Sequence, residues 1–291
     1  MKDIMEDLRL QLGSICSHFE NISSSLEVVS ERRYRNYIRK KIVYPVGKDE
    51  FVSAWLCHPL SGIKGMPAVI CLHGHGPGKD PLVGLFRGRR CLEYHKLISI
   101  RLARNGFVTL TPDRRGYGEM SPYPDGYPKL EDLNHLNEVY LKEKNRSLFS
   151  LDVSDALIGL QLLIKLGVKK DAIGCFGAEK GAFVAAGLSA ISGDVTSVCL
   201  APFILDVKEI PLNSEVSITP FLLCCLVAPK PLQIQIPQAT SASRSAYKTS
   251  KRVKRYYLDK GLKRYVEIHC FDGVVEIDYE SAEDFFKRRL G

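Results

Sequence analysis

The chain has 291 residues, of which 45% are hydrophobic and 25% are charged, and its formal net charge is +8. These values are typical of one large α/β domain with a well-buried core, and they require no second domain. The longest apolar runs are far shorter than the roughly 20 residues that cross a bilayer, and residues 1–20 match neither a secretory signal nor a transit sequence. The sequence therefore predicts a cytoplasmic protein that has no membrane partner.

The nine cysteines lie mainly in apolar, strand-like segments. Their spacing matches neither a disulfide framework nor a zinc site. We therefore expect buried, reduced thiols, no bound metal and no cofactor.

Basic residues cluster in two segments, 32–41 and 248–264. Such clusters can form a surface for an anionic partner. Apolar residues recur at helical spacing through the second segment (Val253, Tyr257 and Leu262), so its basic residues are predicted to be the solvated side of an amphipathic helix. We therefore expect no nucleic-acid partner, and a homo-oligomer is compatible with the sequence.

The N-terminal half opens with a helical pattern and then an alternating one. A helix is predicted over residues 3–28, inside an N-terminal helical extension that spans residues 1–30. Alternating segments at Tyr37–Pro45 and Phe51–Cys57, separated by a turn at residues 47–49, predict an antiparallel hairpin.

From residue 68 onward, short apolar runs alternate with amphipathic stretches. The runs predict strands at 68–72, 108–111, 173–176, 195–200, 231–236 and 266–271. The stretches predict helices at 90–104, 147–166, 180–192, 243–261 and 279–290. This alternation is typical of an α/β fold with a doubly wound, mostly parallel sheet, here with N-terminal antiparallel strands and as a single domain spanning residues 1–291. Residues 116–145, rich in Gly, Pro, Tyr and charge, are a candidate lid loop beside the carboxyl ends of the strands.

The most informative motif is Gly177-Ala178-Glu179-Lys180-Gly181. It has the form of a hydrolase nucleophile elbow, G-x-S-x-G, with a carboxylate in place of the serine. The turn from strand to helix is so tight that it needs glycines on both sides. Glu179 is therefore expected where a nucleophile would project.

Together with the elbow, three further blocks resemble the α/β-hydrolase superfamily, more narrowly its dienelactone-hydrolase and acetyl-xylan-esterase-like branch. They are residues 68–79, 106–119 and 228–232. The resemblance implies an α/β-hydrolase fold from about residue 50 to the end, with an oxyanion loop at His73-Gly74-His75-Gly76 and His73 as the residue that braces it.

The chain departs from the catalytic triad of this family at all three positions. Glu179 stands in place of the serine, Thr240 stands about where the acid is expected, and Val275 stands in place of the histidine. Without an imidazole, the general base and the general acid of Ser-His-Asp hydrolysis are both lost. We therefore expect a degenerate triad.

Glu179 has two interpretations that the sequence leaves open. As the residue before a helix, its carboxylate can be a cap that is stabilised by about 0.3–1 kcal/mol. Alternatively, it faces a pocket as a general acid or base, with the backbone N–H groups of His75 and Lys180 as charge stabilisers worth roughly 3–4 kcal/mol per donor. Gly74, Gly76, Tyr117 and His135 are the candidate substrate-binding residues.

The preferred hypothesis is a non-hydrolytic enzyme: a cyclase, lyase, dehydratase or isomerase acting on a carbonyl-containing small molecule. The first alternative is a catalytically silent pseudohydrolase that serves as a binding or scaffold protein. The second is an esterase-like hydrolase with an unusual constellation that involves His75 or His135. His269 lies in the last predicted strand, where a buried structural role is expected.

Overall fold

A computed structural model describes residues 2–17, 25–85, 95–203, 207–239 and 241–291. The strands are β1 (Glu27–Arg33), β2 (Tyr37–Pro45), β3 (Phe51–Pro59), β4 (Ala68–Leu72), β5 (Val108–Pro112), β6 (Ile173–Gly177), β7 (Ser197–Leu200), β8 (Ile210–Pro211), β9 (Ser217–Ile218), β10 (Leu232–Pro237) and β11 (Val266–Phe271). The helices are α1 (Lys2–Cys16), α2 (Ile98–Arg104), α3 (Leu130–Lys144), α4 (Leu148–Lys165), α5 (Lys180–Ile191), α6 (Pro220–Leu226), α7 (Ser241–Asp259) and α8 (Tyr279–Leu290).

One large sheet organises the molecule, with the strand order β1-β2-β3-β5-β4-β6-β7-β10-β11. The pairs β1–β2, β2–β3 and β3–β5 are antiparallel, and the remaining pairs from β5 to β11 are parallel. Parallel strands place their carboxyl ends at one edge of the sheet. The loops after β4, β5 and β6 therefore meet there.

Both faces of the sheet are covered, which is why the central strands β4 and β6 contain no polar side chains. Successive residues of β4 alternate between the two sides: Ile70 packs in the core under α4 and α5, whereas Val69 and Cys71 pack in the core under α2 and α8. Seven of the eight described cysteines are buried, and all eight are free thiols.

The predicted α/β fold with a mostly parallel sheet and N-terminal antiparallel strands is confirmed. The predicted hairpin is β2–β3, and the predicted strands at 68–72 and 266–271 have the bounds of β4 and β11. The apolar run identifies β4 well because all five of its residues are buried. Strand β11 lies at the edge of the sheet and is only partly buried.

Three predicted segments differ from the structure. The helix expected over residues 90–104 begins at Ile98, and its residues 90–94 lie outside the described residues. The helix expected over residues 3–28 ends at Cys16, and residues 27–33 instead form the exposed edge strand β1. Pairing with β2 determines this strand, and local periodicity does not reveal it. The candidate lid loop 116–145 contains the helix α3, whose Leu133 is buried.

Helix α6 was not predicted, although a signal for it exists. Thr219 is its N-cap, with a side chain that accepts a hydrogen bond from Leu222 N, and Pro220 occupies the first helical position. A Thr-Pro pair before an apolar run is a typical helix start.

Candidate active site

The elbow between β6 and α5 forms as the motif predicts. Glu179 has φ 48° and ψ −116°, a conformation that is strained for a residue with a side chain. A Cβ atom on Gly177 would lie 2.7 Å from the Cα of Ala182, and one on Gly181 would lie 2.6 Å from the carbonyl oxygen of Leu72. Only glycine fits at these two positions, and the strain is held at Glu179 between them.

The loop after β4 is held by His73. Its Nδ1 lies 2.8 Å from the carbonyl oxygen of Gly74, and its Nε2 accepts a hydrogen bond from Arg114 N at 3.0 Å. Burial and the neighbouring Arg114 guanidinium hold the pKa of His73 well below its usual value. The ring is therefore a neutral brace between the loops after β4 and β5.

The Glu179 carboxylate is bound to this loop. Its Oε2 accepts a hydrogen bond from His75 N at 2.8 Å, across 104 residues of sequence. One of the two N–H groups predicted to stabilise an oxyanion is therefore already used by the carboxylate. Within the described ranges, no residue accepts a hydrogen bond from the second, Lys180 N.

The His75 ring lies between two tyrosines. Its Nδ1 is 3.3 Å from the Tyr117 hydroxyl, and its ring centroid is 4.9 Å from that of Tyr127 in an edge-on arrangement. Burial lowers the pKa of His75, although the Glu179 charge acts in the opposite direction. Burial also raises the pKa of Tyr117, which stays a neutral phenol able to donate to Nδ1. A neutral imidazole is thus oriented beside the carboxylate.

Two buried ion pairs lie between the loop after β5 and helix α4, next to the site. Arg114 Nε lies 2.8 Å from Asp152 Oδ2, and Arg115 Nε lies 2.7 Å from Asp155 Oδ2. Arg115 Nη1 also contacts Glu50 Oε2 at 2.7 Å. These pairs fasten the loop after β5 to α4, because both aspartates lie on that helix.

A cavity of about 230 Å³ adjoins the elbow. Its polar lining includes Arg114, Arg115, Tyr117 and Lys180. The apolar lining includes Leu133, Phe149, Phe183, Val184 and Ile210. The space is suited to a small apolar group beside Lys180 and Tyr117.

The structure brings together Glu179, His75, Lys180 and Tyr117. The loop glycines Gly74 and Gly76 lie beside them, and Gly74 N donates a hydrogen bond to His95 Nε2 at 3.3 Å. His135 is exposed on α3 and is not among the residues that line this cavity.

Of the other two triad positions, the structure describes only Val275. Val275 is 39% exposed after β11, and Thr240 lies outside the described residues. The expectation of a buried His269 is wrong. Its side chain is 35% exposed, and its Nε2 lies 2.8 Å from Asp278 Oδ2, because β11 is an edge strand with one open side.

His95 and Asp152 are site residues that the sequence did not reveal. His95 is buried behind the oxyanion loop, and Asp152 holds both Arg114 and the backbone N–H of Arg115. Neither belongs to a local motif. Their roles come from contacts between distant segments.

In the described part of the chain, no three or more His, Cys, Asp or Glu side chains form a group that could hold a metal ion. No single described helix has the length and apolar character to cross a membrane. The pair α3 and α4 meets that test jointly, with a bend of 79° between them.

No protein-family model and no curated protein matches the chain. Several solved structures match the chain in fold. A putative acetyl xylan esterase from Bacteroides fragilis has a TM-score of 0.72 at 14% identity, covering 99% of this chain and 82% of the esterase. A glucuronoyl esterase from Solibacter usitatus has a TM-score of 0.66 at 12% identity, covering 97% and 92%. A dienelactone hydrolase-like phosphotriesterase from metagenomic libraries has a TM-score of 0.59 at 11% identity, covering 88% and 100%.

The expectation of a non-hydrolytic cyclase, lyase, dehydratase or isomerase is wrong, because the similar solved structures are esterases. Nor do they favour a pseudohydrolase. The non-hydrolytic mechanism also required Glu179 as a base and the His75 N–H as a separate charge stabiliser. In the structure these two groups are hydrogen-bonded to each other. The chain has the α/β-hydrolase fold.

Proposed function

We propose that this protein hydrolyses a carboxylic ester of a small molecule, with Glu179 as the general base. One observation carries the proposal: a carboxylate occupies the strained elbow position and is held at 2.8 Å by the oxyanion loop. Strain of this kind costs on the order of 1–3 kcal/mol and is concentrated at functional sites. A helix cap would not require it.

The reaction needs one water molecule and no acyl-enzyme intermediate. Glu179 accepts a proton from the water as the water oxygen attacks the ester carbonyl carbon. The tetrahedral intermediate then collapses, the bond to the alcohol oxygen breaks, and the protonated Glu179 returns its proton to that oxygen. The products are one carboxylic acid and one alcohol, and the carboxylate is regenerated.

The remaining groups of the site have distinct tasks in this mechanism. The His75 N–H holds one carboxylate oxygen, which leaves the other free to accept the proton. The Lys180 N–H follows the elbow directly and is the donor that we assign to the developing oxyanion. The neutral His75 ring and Tyr117 orient the loop without changing charge.

This mechanism does not use the triad of the family. We propose that Thr240 and Val275 take no part in the chemistry. Attack by a serine is lost because Glu179 stands in its place. The single-domain organisation over residues 1–291, the small-molecule substrate and the cytoplasmic location belong to the same proposal.

Hydrolysis of phenyl acetate by the full chain tests the function. Glu179→Gln keeps the size of the side chain and an oxygen for the His75 N–H, but it cannot accept the proton. We expect kcat/KM to fall by about 100-fold or more, the usual contribution of a positioned general base. The control Glu215→Gln changes an exposed glutamate and should leave the rate unchanged.

Two results would overturn the proposal. One is a wild-type protein that hydrolyses none of a panel of aryl and alkyl acetates faster than buffer does. The other is a Glu179→Gln variant with the wild-type rate, which would show that the elbow carboxylate is only a helix cap.

A further inference from the structure

We propose that the substrate is an anionic ester, in which a ring-sized apolar group fills the cavity beside the elbow and a carboxylate on that group pairs with Lys180. This inference rests on the proposed hydrolytic function and adds the class of substrate to it. It follows from the charges and the shape of the cavity wall.

Lys180 is a cation at the reacting centre. It is the first residue of α5, it follows Glu179 directly, and it lines the cavity. Its positive charge acts on the His75 ring and contributes to the lowered pKa of that ring, after burial. The ammonium group is therefore within electrostatic reach of the oxyanion loop.

The other two cations of the cavity wall already have partners. Arg114 is paired with Asp152, and Arg115 is paired with Asp155 and Glu50. Among the residues that the structure describes, no carboxylate lies within 4.0 Å of the Lys180 ammonium group. Lys180 thus has an unmet preference for an anion.

The acidic residue next to Lys180 in the sequence and the acidic residue in the cavity wall both have other partners. Glu179 directs its Oε2 to His75 N, and Glu209 accepts a hydrogen bond from the Ser217 hydroxyl at 2.7 Å. A lysine at the N-terminal end of a helix is also unfavourable by itself. The first turn of α5 contains no acidic residue, and Glu179 at the N-cap makes no side-chain hydrogen bond to the helix. A bound anion would remove this penalty.

The rest of the wall defines the uncharged part of the ligand. Phe149, Phe183 and Val184 give it an aromatic and aliphatic surface. Its volume of about 230 Å³ is smaller than the roughly 300–1,000 Å³ of pockets for drug-sized ligands. A single ring with short substituents suits this volume, and an extended sugar chain does not.

Two esters that differ in charge alone test the inference. 4-Acetoxybenzoate carries a carboxylate, and 4-acetoxybenzamide is its neutral counterpart of nearly the same shape. For the wild-type protein, kcat/KM should be higher for the benzoate. In Lys180→Gln, the ratio of the two kcat/KM values should fall by about tenfold, the size of one charge-assisted hydrogen bond, mainly through the KM of the benzoate.

Two variants serve as controls in the same assay. Lys180→Arg keeps the charge and should keep most of the preference. Lys170→Gln removes an exposed lysine outside the cavity and should leave the ratio unchanged. An unchanged ratio in Lys180→Gln would overturn the inference and leave the hydrolytic function standing.

Calorimetric titration with the product 4-hydroxybenzoate separates the two proposals. The wild-type protein should bind it more tightly than 4-hydroxybenzamide, and Lys180→Gln should lose the difference. If neither ester is hydrolysed but this Lys180-dependent binding is found, the proposed function fails and the anion preference stands. Equal binding of the two products by the wild-type protein would contradict the anion preference whether or not hydrolysis occurs.

Discussion

At the scale of single residues, Glu179 combines an unfavourable backbone conformation with a favourable side-chain hydrogen bond. Its positive φ belongs to the elbow, and its carboxylate is held by His75 N on another loop. The elbow was predictable because its glycines and Glu179 are adjacent in sequence. The bond to His75 was not, because it depends on the side-chain conformation and on two segments that meet only in the folded sheet.

Buried neutral histidines behind the oxyanion loop make stability depend on pH. Burial lowers the pKa of His95 to about 3, whereas the unfolded chain has a value near 6.5. Between these values the unfolded state binds more protons, so stability falls as the pH falls through that window.

We predict that the free energy of unfolding falls by about 2 kcal/mol from pH 7 to pH 5 because of His95 alone, which is protonated only in the unfolded chain. Urea denaturation of the wild-type protein and of His95→Gln at both values measures this loss. The variant retains an acceptor for Gly74 N but has no group to protonate, so its stability should fall less. Parallel pH dependences in the two proteins would show that His95 is not the group that titrates.

At the scale of elements, the elbow depends on close contact between α5 and β4. Gly181 lies in the first turn of α5 against the carbonyl oxygens of Leu72 and His73. Alanine is usually preferred over glycine inside a helix by about 1 kcal/mol. Here the contact outweighs that preference, because a strand backbone in the middle of a sheet cannot move aside.

We predict that Gly181→Ala lowers the free energy of unfolding by about 2 kcal/mol, within the range of overpacking substitutions. Gly193→Ala is the matched control. A Cβ there meets no atom within 4 Å and the backbone is unstrained, so the change should stay within about 0.5 kcal/mol. Equal stabilities for the two variants, measured by urea denaturation, would mean that α5 is not seated against β4 as described.

The accuracy of prediction differed between kinds of element. Central strands such as β4 and β6 were located closely because burial on both faces makes them continuously apolar. Strand β1 was not predicted, and its first two residues were placed in the N-terminal helix, because its seven residues are exposed and carry no burial pattern. Its hydrogen bonds to β2 determine its conformation, and a single segment of sequence does not show such a partner.

At the scale of the whole molecule, the order of apolar runs and amphipathic stretches was enough to predict the fold. The three solved structures named above share only 11–14% identity with this chain, so the alternation of strands and helices is kept while most residues differ. The function was predicted less accurately than the fold. The substituted elbow suggested departure from hydrolysis, whereas the similar structures are esterases. That residues 1–291 fold as one domain stays a prediction.

The central claim is that the Glu179 carboxylate activates a water molecule that attacks the ester directly. Turnover of phenyl acetate in ¹⁸O-water, followed by mass spectrometry of the acetate and of the peptide that contains Glu179, tests it most directly. We predict ¹⁸O in the acetate from the first turnover, an unlabelled Glu179 and no burst of phenol. Incorporation of ¹⁸O into Glu179, or a phenol burst equal to the enzyme concentration, would show covalent attack by the protein and contradict the claim.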